Sequence, residues 1–192
     1  KPVGICGSGL IDAVSEIVRM GLVKSSGRIK DPRDLPPGFP ASLMRRIKQD
    51  GNSYKFVLAE GEREVAITQS DINKLQLGKG AVRAGIEILL NELNLQPSDL
   101  DGILLAGAFG SNLRPASLKG IGMLPEVSLD RVKSVGNAAG TGAILALLSK
   151  RQLETVLALP ERIEHVELSL HGGFQRAFAR GLSFKVEKHV KQ

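Results

Sequence analysis

The order strand, glycine-rich turn, helix occurs twice between residues 102 and 150. The run Gly-Ile-Leu-Leu-Ala at residues 102–106 breaks into Gly-Ala-Phe-Gly. The run Val-Lys-Ser-Val at residues 132–135 breaks into Gly-Asn-Ala-Ala-Gly and then an apolar helix over residues 141–150. Such alternation predicts parallel strands covered by helices, and ligands bind to these sheets outside the carboxyl ends of the strands. The chain is therefore predicted to have an α/β fold with a candidate site at the two glycine turns.

The composition is that of an ordinary globular protein. The 192 residues suffice for one large domain or two small ones, with 42% apolar and 24% charged residues. No apolar run approaches the roughly 20 residues of a membrane-spanning helix, so we predict no membrane association. The single cysteine, Cys6, excludes an internal disulfide framework. One cysteine with three histidines does not make a Cys-rich zinc site, so no metal site is predicted.

The charge and the amino terminus bear on partners and location. The formal net charge is +6, but the basic residues are spread from Arg28 to Lys188, and the chain has one Tyr, six Phe and no Trp. Nucleic-acid binding is disfavoured because the cations and stacking aromatics do not cluster. The chain opens Lys-Pro-Val-Gly, without an initiator Met or a basic-then-apolar leader. We therefore expect no secretory signal, a cytoplasmic location, and a piece of a longer protein.

The first third of the chain combines a helix with an irregular segment. A glycine-rich turn at residues 4–9 precedes apolar residues at helical spacing. Residues 22–53 carry four prolines among basic residues, which predicts an irregular, surface-facing segment with a short helix around residues 43–48. Residues 54–58 and 64–68 have the lengths and the glycine-containing connection of a hairpin.

The longest helix is predicted to run from Ser70, as its N-cap, to about Leu95. Towards the carboxyl end, residues 162–169 are predicted to form a strand and residues 174–182 an amphipathic helix.

Gly7, Ser8 and Gly9 lie where the first glycine turn meets its helix. Glycines let main-chain N–H groups approach an anion, and the positive helix end favours one, so the turn is a candidate phosphate site. The alternative is a tight turn with Ser8 as the cap. Cys6 invites a nucleophile or redox interpretation because a helix N-terminus lowers a thiol pKa. A small buried core residue is the favoured interpretation.

Gly107, Ala108, Phe109 and Gly110 follow the first predicted strand of the sheet. The two glycines would let a flat ligand such as adenine lie against the main chain, or would only let a helix pack closely on the strand. The small residues at 136–142 likewise suit either a hinge between two lobes or ordinary helix packing.

A polar stripe marks one face of the long helix. Its members are spaced i, i+3, i+4 and i+7, and they are Gln76, Lys79, Gly80 and Arg83. Taken alone, such a stripe indicates a solvated helix face.

Six motifs, taken in order, resemble the carboxyl-terminal part of the reductive activators of corrinoid proteins. These activators belong to the superfamily of acetate kinase, sugar kinases, heat-shock chaperones and actin. The motifs are Gly-Ile-Cys-Gly-Ser-Gly-Leu-Ile-Asp (4–12), Ile-Thr-Gln-Ser-Asp-Ile (67–72), Leu-Gln-Leu-Gly-Lys-Gly-Ala-Val-Arg-Ala-Gly-Ile (75–86), Leu-Ala-Gly-Ala-Phe-Gly (105–110), Ile-Gly-Met-Leu-Pro (121–125) and Val-Gly-Asn-Ala-Ala-Gly-Thr-Gly (135–142).

The resemblance covers nearly the whole chain and implies an α/β, ribonuclease H-like, actin-type ATPase lobe. The lobe would be incomplete at its amino-terminal strands and would carry an inserted hairpin. Within this single lobe of residues 1–192, residues 22–70 are assigned to the insertion, 71–150 to an adenosine-binding core and 151–192 to a terminal strand and helix.

The resemblance also implies where a nucleotide would bind. In the superfamily, a glycine turn like Gly107–Gly110 borders the adenosine, and a helix like the one carrying Gln76 and Lys79 lies over the other side of the base and ribose. A segment like residues 136–142 is the second helix that connects the lobes. We therefore expect the glycine turn to face Gln76, Lys79 and Arg83 across a cleft.

Such activators use ATP with Mg²⁺ to drive an electron from an iron–sulfur cluster onto the cobalt of a corrinoid protein, restoring cobalt(I). The chain lacks the family's ferredoxin-like domain and both Asp-Ile-Gly phosphate motifs; Asp-Gly-Ile at residues 101–103 has a different order. We therefore expect no catalytic residue here, a corrinoid protein as partner of the whole protein, and self-association through uncovered strand edges. The alternatives are a lobe of a sugar kinase or of a 2-hydroxyacyl-CoA dehydratase activator, and a non-catalytic basic module that docks an acidic partner.

Overall fold

The computed structural model describes residues 2–185, with every side chain in that range except that of Ala108. Residues 186–192, which include Lys188 and the end of the terminal segment assigned from sequence, lie outside the described residues.

The described residues form both helices and strands. The helices are α1 (Gly7–Arg19), α2 (Ala41–Met44), α3 (Gln69–Glu92), α4 (Gly107–Gly110), α5 (Pro115–Gly120), α6 (Ala138–Leu148), α7 (Lys150–Ala158) and α8 (Phe174–Leu182). The strands are β1 (Ile47–Asp50), β2 (Ser53–Ala59), β3 (Val65–Ile67), β4 (Ile103–Ala106) and β5 (Val132–Gly136).

The inserted segment is an antiparallel sheet of three strands in the order β1-β2-β3. The predicted hairpin is confirmed by the pairing of β2 with β3, and the additional strand β1 pairs Ile47 with Phe56. Helix α2 ends at Met44, so the helix predicted around residues 43–48 was placed too late. Residues 47–50 form a strand instead, because their main-chain groups form hydrogen bonds with β2.

Most of residues 22–53 are exposed or half-buried, as predicted, but the segment also contributes buried residues near its start. Leu22, Val23 and Ile29 are buried, and a bridge between Val23 and Ile29 holds this stretch against the core. Prolines interrupt regular structure, but they do not prevent the apolar residues between them from packing.

The N-cap of α3 is Thr68, which lies two positions before the predicted cap Ser70, and the helix begins at the next residue. The Thr68 hydroxyl accepts from the Asp71 N–H at 3.2 Å, and the Asp71 carboxylate accepts from the Thr68 N–H at 2.9 Å. This reciprocal capping box satisfies two N–H groups at the helix end, so it defines the start more strongly than a single serine. The helix ends at Glu92 rather than Leu95, and Asn94 beyond it has a left-handed φ of 54°.

The second sheet confirms the predicted parallel pair. Strands β4 and β5 are parallel, and Ile103 pairs with Val132. Val132 faces the core, whereas Leu104 is 66% exposed and Val135 is 43% exposed. Parallel sheets are normally covered on both faces. In the described residues the outer face of this pair, where Lys133 stands beside Leu104, is exposed.

The segment after β5 is helical but makes little contact with the core. Helix α6 begins three residues earlier than predicted, and neither α6 nor α7 contains a buried residue. The predicted strand at 162–169 is wrong, since these residues contain 3₁₀ turns at Leu159–Arg162 and Leu168–Leu170. A strand needs a partner strand for its main-chain groups, and none of the described strands pairs with these residues. Helix α8 has the predicted bounds.

A single apolar core joins α1, the inserted sheet, α3, α5 and β5. Its members are Ile11, Val14, Ile17, Val18, Leu22, Val23, Ile29, Ile47, Phe56, Ile67, Ile72, Leu75, Leu118, Ile121, Leu124, Val127, Val132 and Phe184. In the described residues, every helix is too short or too polar to cross a bilayer.

Candidate functional site

A cleft of about 650 Å³ lies between α3 and the carboxyl end of β4. One wall contains Lys74, Gly78 and Val82 of α3, and the opposite wall contains Gly107 and Phe109. Gly107 has a φ of 89°, and a Cβ added there would meet no atom within 4 Å, so its main chain is open to the cleft. A flat, largely apolar ligand can therefore approach the backbone at this turn.

The amino-terminal glycine turn meets the same region through Phe109. A Cβ at Gly7 would lie 3.0 Å from Cε2 of the Phe109 ring, so a side chain at this position would require the ring to shift. Phe109 is 57% exposed despite the contact. Two motifs separated by about a hundred residues are thus brought together, and Gly7 borders the end of the cleft wall.

Cys6 is the N-cap of α1, and the prediction that it is buried is wrong. Its Sγ accepts from the Gly9 N–H at 3.4 Å and lies 3.3 Å from the Ser8 hydroxyl. Contacts with Ser8 and Gly9 lower the pKa of the Cys6 thiol. The cap residue lies immediately before the first helical turn, and its side chain accepts from a free main-chain N–H group. Cys6 occupies this position, whereas Ser8 is already inside the helix, so Cys6 and not Ser8 is the cap.

Gln76 and Lys79 hold the segment that ends α8. The Gln76 amide donates to Leu182 O at 2.8 Å and to Ser26 O at 3.1 Å. The Lys79 ammonium donates to Gly181 O at 2.5 Å and to Ser183 O at 2.8 Å. It also lies 4.9 Å from the centre of the Phe184 ring.

Lys79 has no exposed surface, and it touches the cleft as part of its α3 wall. Burial, followed by the nearby charge of Arg83, lowers the pKa of Lys79 to about 8. The carbonyls at the carboxyl end of α8 carry partial negative charge, which favours the ammonium form that burial disfavours.

The remaining stripe residues also face α8 rather than solvent. A Cβ at Gly80 would lie 3.0 Å from Leu182 and 3.3 Å from Phe178, so the glycine allows the two helices to approach closely. Arg83 lines a different cavity, beside Phe184. The interpretation of the stripe as a solvated face is wrong for Gln76, Lys79 and Gly80, because α8 covers them.

Of the predicted adenosine residues, Lys79, Gly107, Phe109 and Gly110 line the cleft. Gln76, Gly80 and Arg83 do not line it, and the side chain of Ala108 lies outside the described side chains. The assignment of all these residues to adenosine stays a prediction. The sequence reasoning missed Lys74, Gly78 and Val82, whose i, i+4, i+8 spacing marked a second face of the same helix.

No cluster of three or more histidine, cysteine or acidic residues suited to a metal ion occurs within residues 2–185. The cleft is lined mainly by apolar side chains, main chain and two lysines. These groups suit an aromatic ring in the cleft or an anionic group at its rim.

Comparison with known proteins shows which family the chain belongs to. A model of the C-terminal domain of RACo, the ASKHA domain, matches residues 1–191. The chain is 35% identical over 191 residues to the corrinoid activation enzyme RamQ of Eubacterium limosum, covering 95% of this chain and 31% of that protein. It is 24% identical over 186 residues to a [Co(II) methylated amine-specific corrinoid protein] reductase of Methanosarcina barkeri, covering 96% of this chain and 30% of that protein.

A solved structure agrees with these sequence matches. The fold matches a reductive activator for corrinoid, iron–sulfur protein with a TM-score of 0.81 and 31% identity, over 95% of this chain and 28% of that one. The chain therefore spans less than a third of the length of these relatives. Since the family model spans almost every residue, this chain belongs to the family of the RACo C-terminal, ASKHA domain.

Proposed function

We propose that this chain supplies the adenosine side of the nucleotide site in an ATP-dependent reductive activator of corrinoid proteins. The observation that supports the proposal is the cleft, in which the glycine turn after β4 faces α3. The relatives named as corrinoid activators support the general role. In the proposed reaction one electron reduces cobalt(II) to cobalt(I), and nucleotide binding and hydrolysis favour the complex in which the cobalt is easier to reduce.

The cleft walls suit adenine for physical reasons. Val82, Leu104 and Phe109 supply apolar surface that a purine ring can cover, which removes that surface from water. The open main chain at Gly107 allows the ring to lie close without a side chain between them. Lys74, an exposed lysine on the cleft wall, is suited to an anionic group at the rim.

The ammonium of Lys79 has a different role in the proposed site. Because it is held by two carbonyls of the carboxyl-terminal segment, we assign to it the positioning of the α3 wall and not a direct contact with phosphate. Its aliphatic stem contributes to the cleft wall.

The groups that hold Mg²⁺ and the iron–sulfur cluster are assigned to parts of the polypeptide outside these residues. Iron–sulfur clusters are usually held by four cysteines, whereas this sequence contains only Cys6. Phosphoryl transfer depends on residues that position the phosphates and their metal ion. We therefore expect no steady ATP hydrolysis by residues 1–192 alone.

The decisive test introduces a large side chain into the cleft from its α3 wall. Gly107→Val would be strained by the left-handed φ whether or not a ligand binds, so it is a poor probe. A Cβ at Gly78 meets nothing within 4 Å, so the Phe side chain of Gly78→Phe can begin without a clash, and we expect its ring to fill part of the cleft that Gly78 lines. Calorimetry on the complete polypeptide should show weaker ATP binding by about tenfold or more.

The matched control is Leu77→Phe, at an exposed position of the same helix outside the cleft. It should leave ATP affinity unchanged. Unchanged affinity in a folded Gly78→Phe protein would mean that adenosine binds elsewhere. The ATP-dependent reduction of a corrinoid protein is then measured from the change in its cobalt(II) spectrum.

A further inference from the structure

A second cavity of about 240 Å³ lies on the other side of the segment that Lys79 holds. It is bounded by α3, the loop at Gly122 and the residues that follow α8. Its polar and aromatic lining consists of Arg83, Glu87, Arg180, Ser183, Phe184 and Lys185. We call it the arginine cavity. None of the residues that form the glycine turn of the cleft lines it.

Arg83 is the unusual residue of this cavity. Its Nη1 is buried and has no hydrogen-bond partner among residues 2–185. A guanidinium carries five N–H donors and stays charged at any ordinary pH, so a buried donor without a partner costs free energy. Arg83 also lines the cavity, so an oxyanion there can pair with the charge of the guanidinium.

The other charges of the arginine cavity leave a positive excess. Arg180 pairs with Glu87, and Lys185 pairs with Glu126 beside the cavity. No carboxylate among the described residues forms a direct ion pair with Arg83. The charge of Arg83 helps to lower the pKa of nearby Glu126, but that carboxylate is already paired with Lys185. The neighbouring Lys79 ammonium already satisfies carbonyls at the end of α8, so these carbonyls do not neutralise Arg83.

We propose that the arginine cavity binds a small oxyanion of the phosphate or carboxylate type through Arg83, with Arg180 and Lys185 as flanking cations. Guanidinium groups bind both types of anion through paired N–H donors. The cavity volume accommodates a single small anion, and one negative charge balances the excess. Because the site includes residues just after α8, its occupation stabilises the docking of this helix on α3.

The test uses inorganic phosphate and acetate as probes, at constant ionic strength, with binding followed by calorimetry. We expect saturable binding of one anion per chain. Arg83→Met should weaken it by about tenfold, the loss expected for one charged hydrogen bond. The control Arg176→Met removes an exposed positive charge from α8 outside the cavity and should leave binding unchanged. Tighter binding of phosphate than acetate identifies the phosphate source, and the reverse order identifies a carboxylate.

Amide chemical-shift mapping on the unmodified protein keeps the proposal testable if Arg83→Met does not fold. Phosphate or acetate should shift the amides of Arg83, Gly122 and Phe184 and leave that of Gly107 unchanged. Three results would overturn the proposal: no saturable binding of either anion, equal losses in Arg83→Met and Arg176→Met, or shifts confined to the cleft. Displacement of the anion by adenosine would also overturn it, because the anion would then occupy the proposed nucleotide site.

Discussion

Lys79 combines full burial with a positive charge and has no carboxylate partner among residues 2–185. Two carbonyls and an aromatic face replace the water that a lysine normally keeps. These contacts offset the cost of burial only in part, because the pKa of Lys79 remains lowered, to about 8. The folded protein therefore holds this proton less tightly than the unfolded chain does.

The resulting prediction concerns the pH dependence of stability. Between pH 8 and the ordinary lysine value of 10.5, the unfolded chain binds more protons than the folded one, so stability rises with pH. Relative to Lys79→Met, the wild-type free energy of unfolding should increase by about 1 to 3 kcal/mol across this range. Urea denaturation at a series of pH values measures the difference.

A control for this experiment is Lys74→Met, which removes an exposed lysine from the same helix. It should leave the pH profile parallel to that of the wild type. If the profile of Lys79→Met is also parallel to the wild type, Lys79 does not titrate in this range, and the carbonyls stabilise its charged form fully.

At the scale of elements, the close packing of α8 on α3 organises the carboxyl-terminal part of the described chain. A Cβ at Gly181 would lie 2.9 Å from Gly80 O and 3.0 Å from its Cα. These are main-chain atoms of the facing helix and cannot rotate away. Glycine at position 181 is therefore required for the distance at which Gln76 and Lys79 reach the carbonyls of residues 181–183. A Cβ at Gly80 would instead require the side chains of Leu182 and Phe178 to shift.

Gly181→Ala should consequently destabilise the protein by about 1 to 3 kcal/mol, as expected for overpacking against main chain. Hydrogen exchange should show the loss as faster exchange in α8. The comparison variant is Gly78→Ala on the open face of α3, where a Cβ meets nothing within 4 Å. It should stabilise the protein by about 0.5 to 1 kcal/mol, because alanine favours the helix. Equal stability of the two variants would contradict this account of the helix interface.

At the scale of the whole molecule, apolar surface is concentrated after β5. The exposed large apolar residues of α6 and α7 are Ile144, Leu145, Leu147, Leu148, Leu153, Val156 and Leu157. These seven side chains are 43% to 84% exposed, and large exposed apolar patches mark association surfaces. Such surface favours association of the chain with another apolar surface.

We therefore expect the 192-residue chain to self-associate as its concentration rises, which sedimentation velocity measures. Both Leu147 and Leu148 are largely exposed. Replacing them together by Lys should weaken the association, because burying two lysines in the interface would remove their charges from water. Leu77→Lys, at an exposed leucine of α3, is the control and should not change it. A monomer at all concentrations would show that this surface does not drive pairing.

The local sequence determined the elements whose signals lie within a few residues. Helical periodicity defined α1 and α3, the two glycine turns marked the ends of parallel strands β4 and β5, and the motif order indicated the family. These features depend on neighbouring residues and on backbone preferences, so they can be predicted from one chain.

The tertiary structure alone decided which faces are covered. Gln76 and Lys79 occupy a stripe that looks solvated in sequence, yet both bind carbonyls more than a hundred residues away. The burial of Leu22 and Ile29 and the absence of a strand at 162–169 likewise depend on which distant segments pack there. Burial and strand pairing are determined by contacts between remote residues, and such contacts leave no local pattern from which a single sequence predicts them.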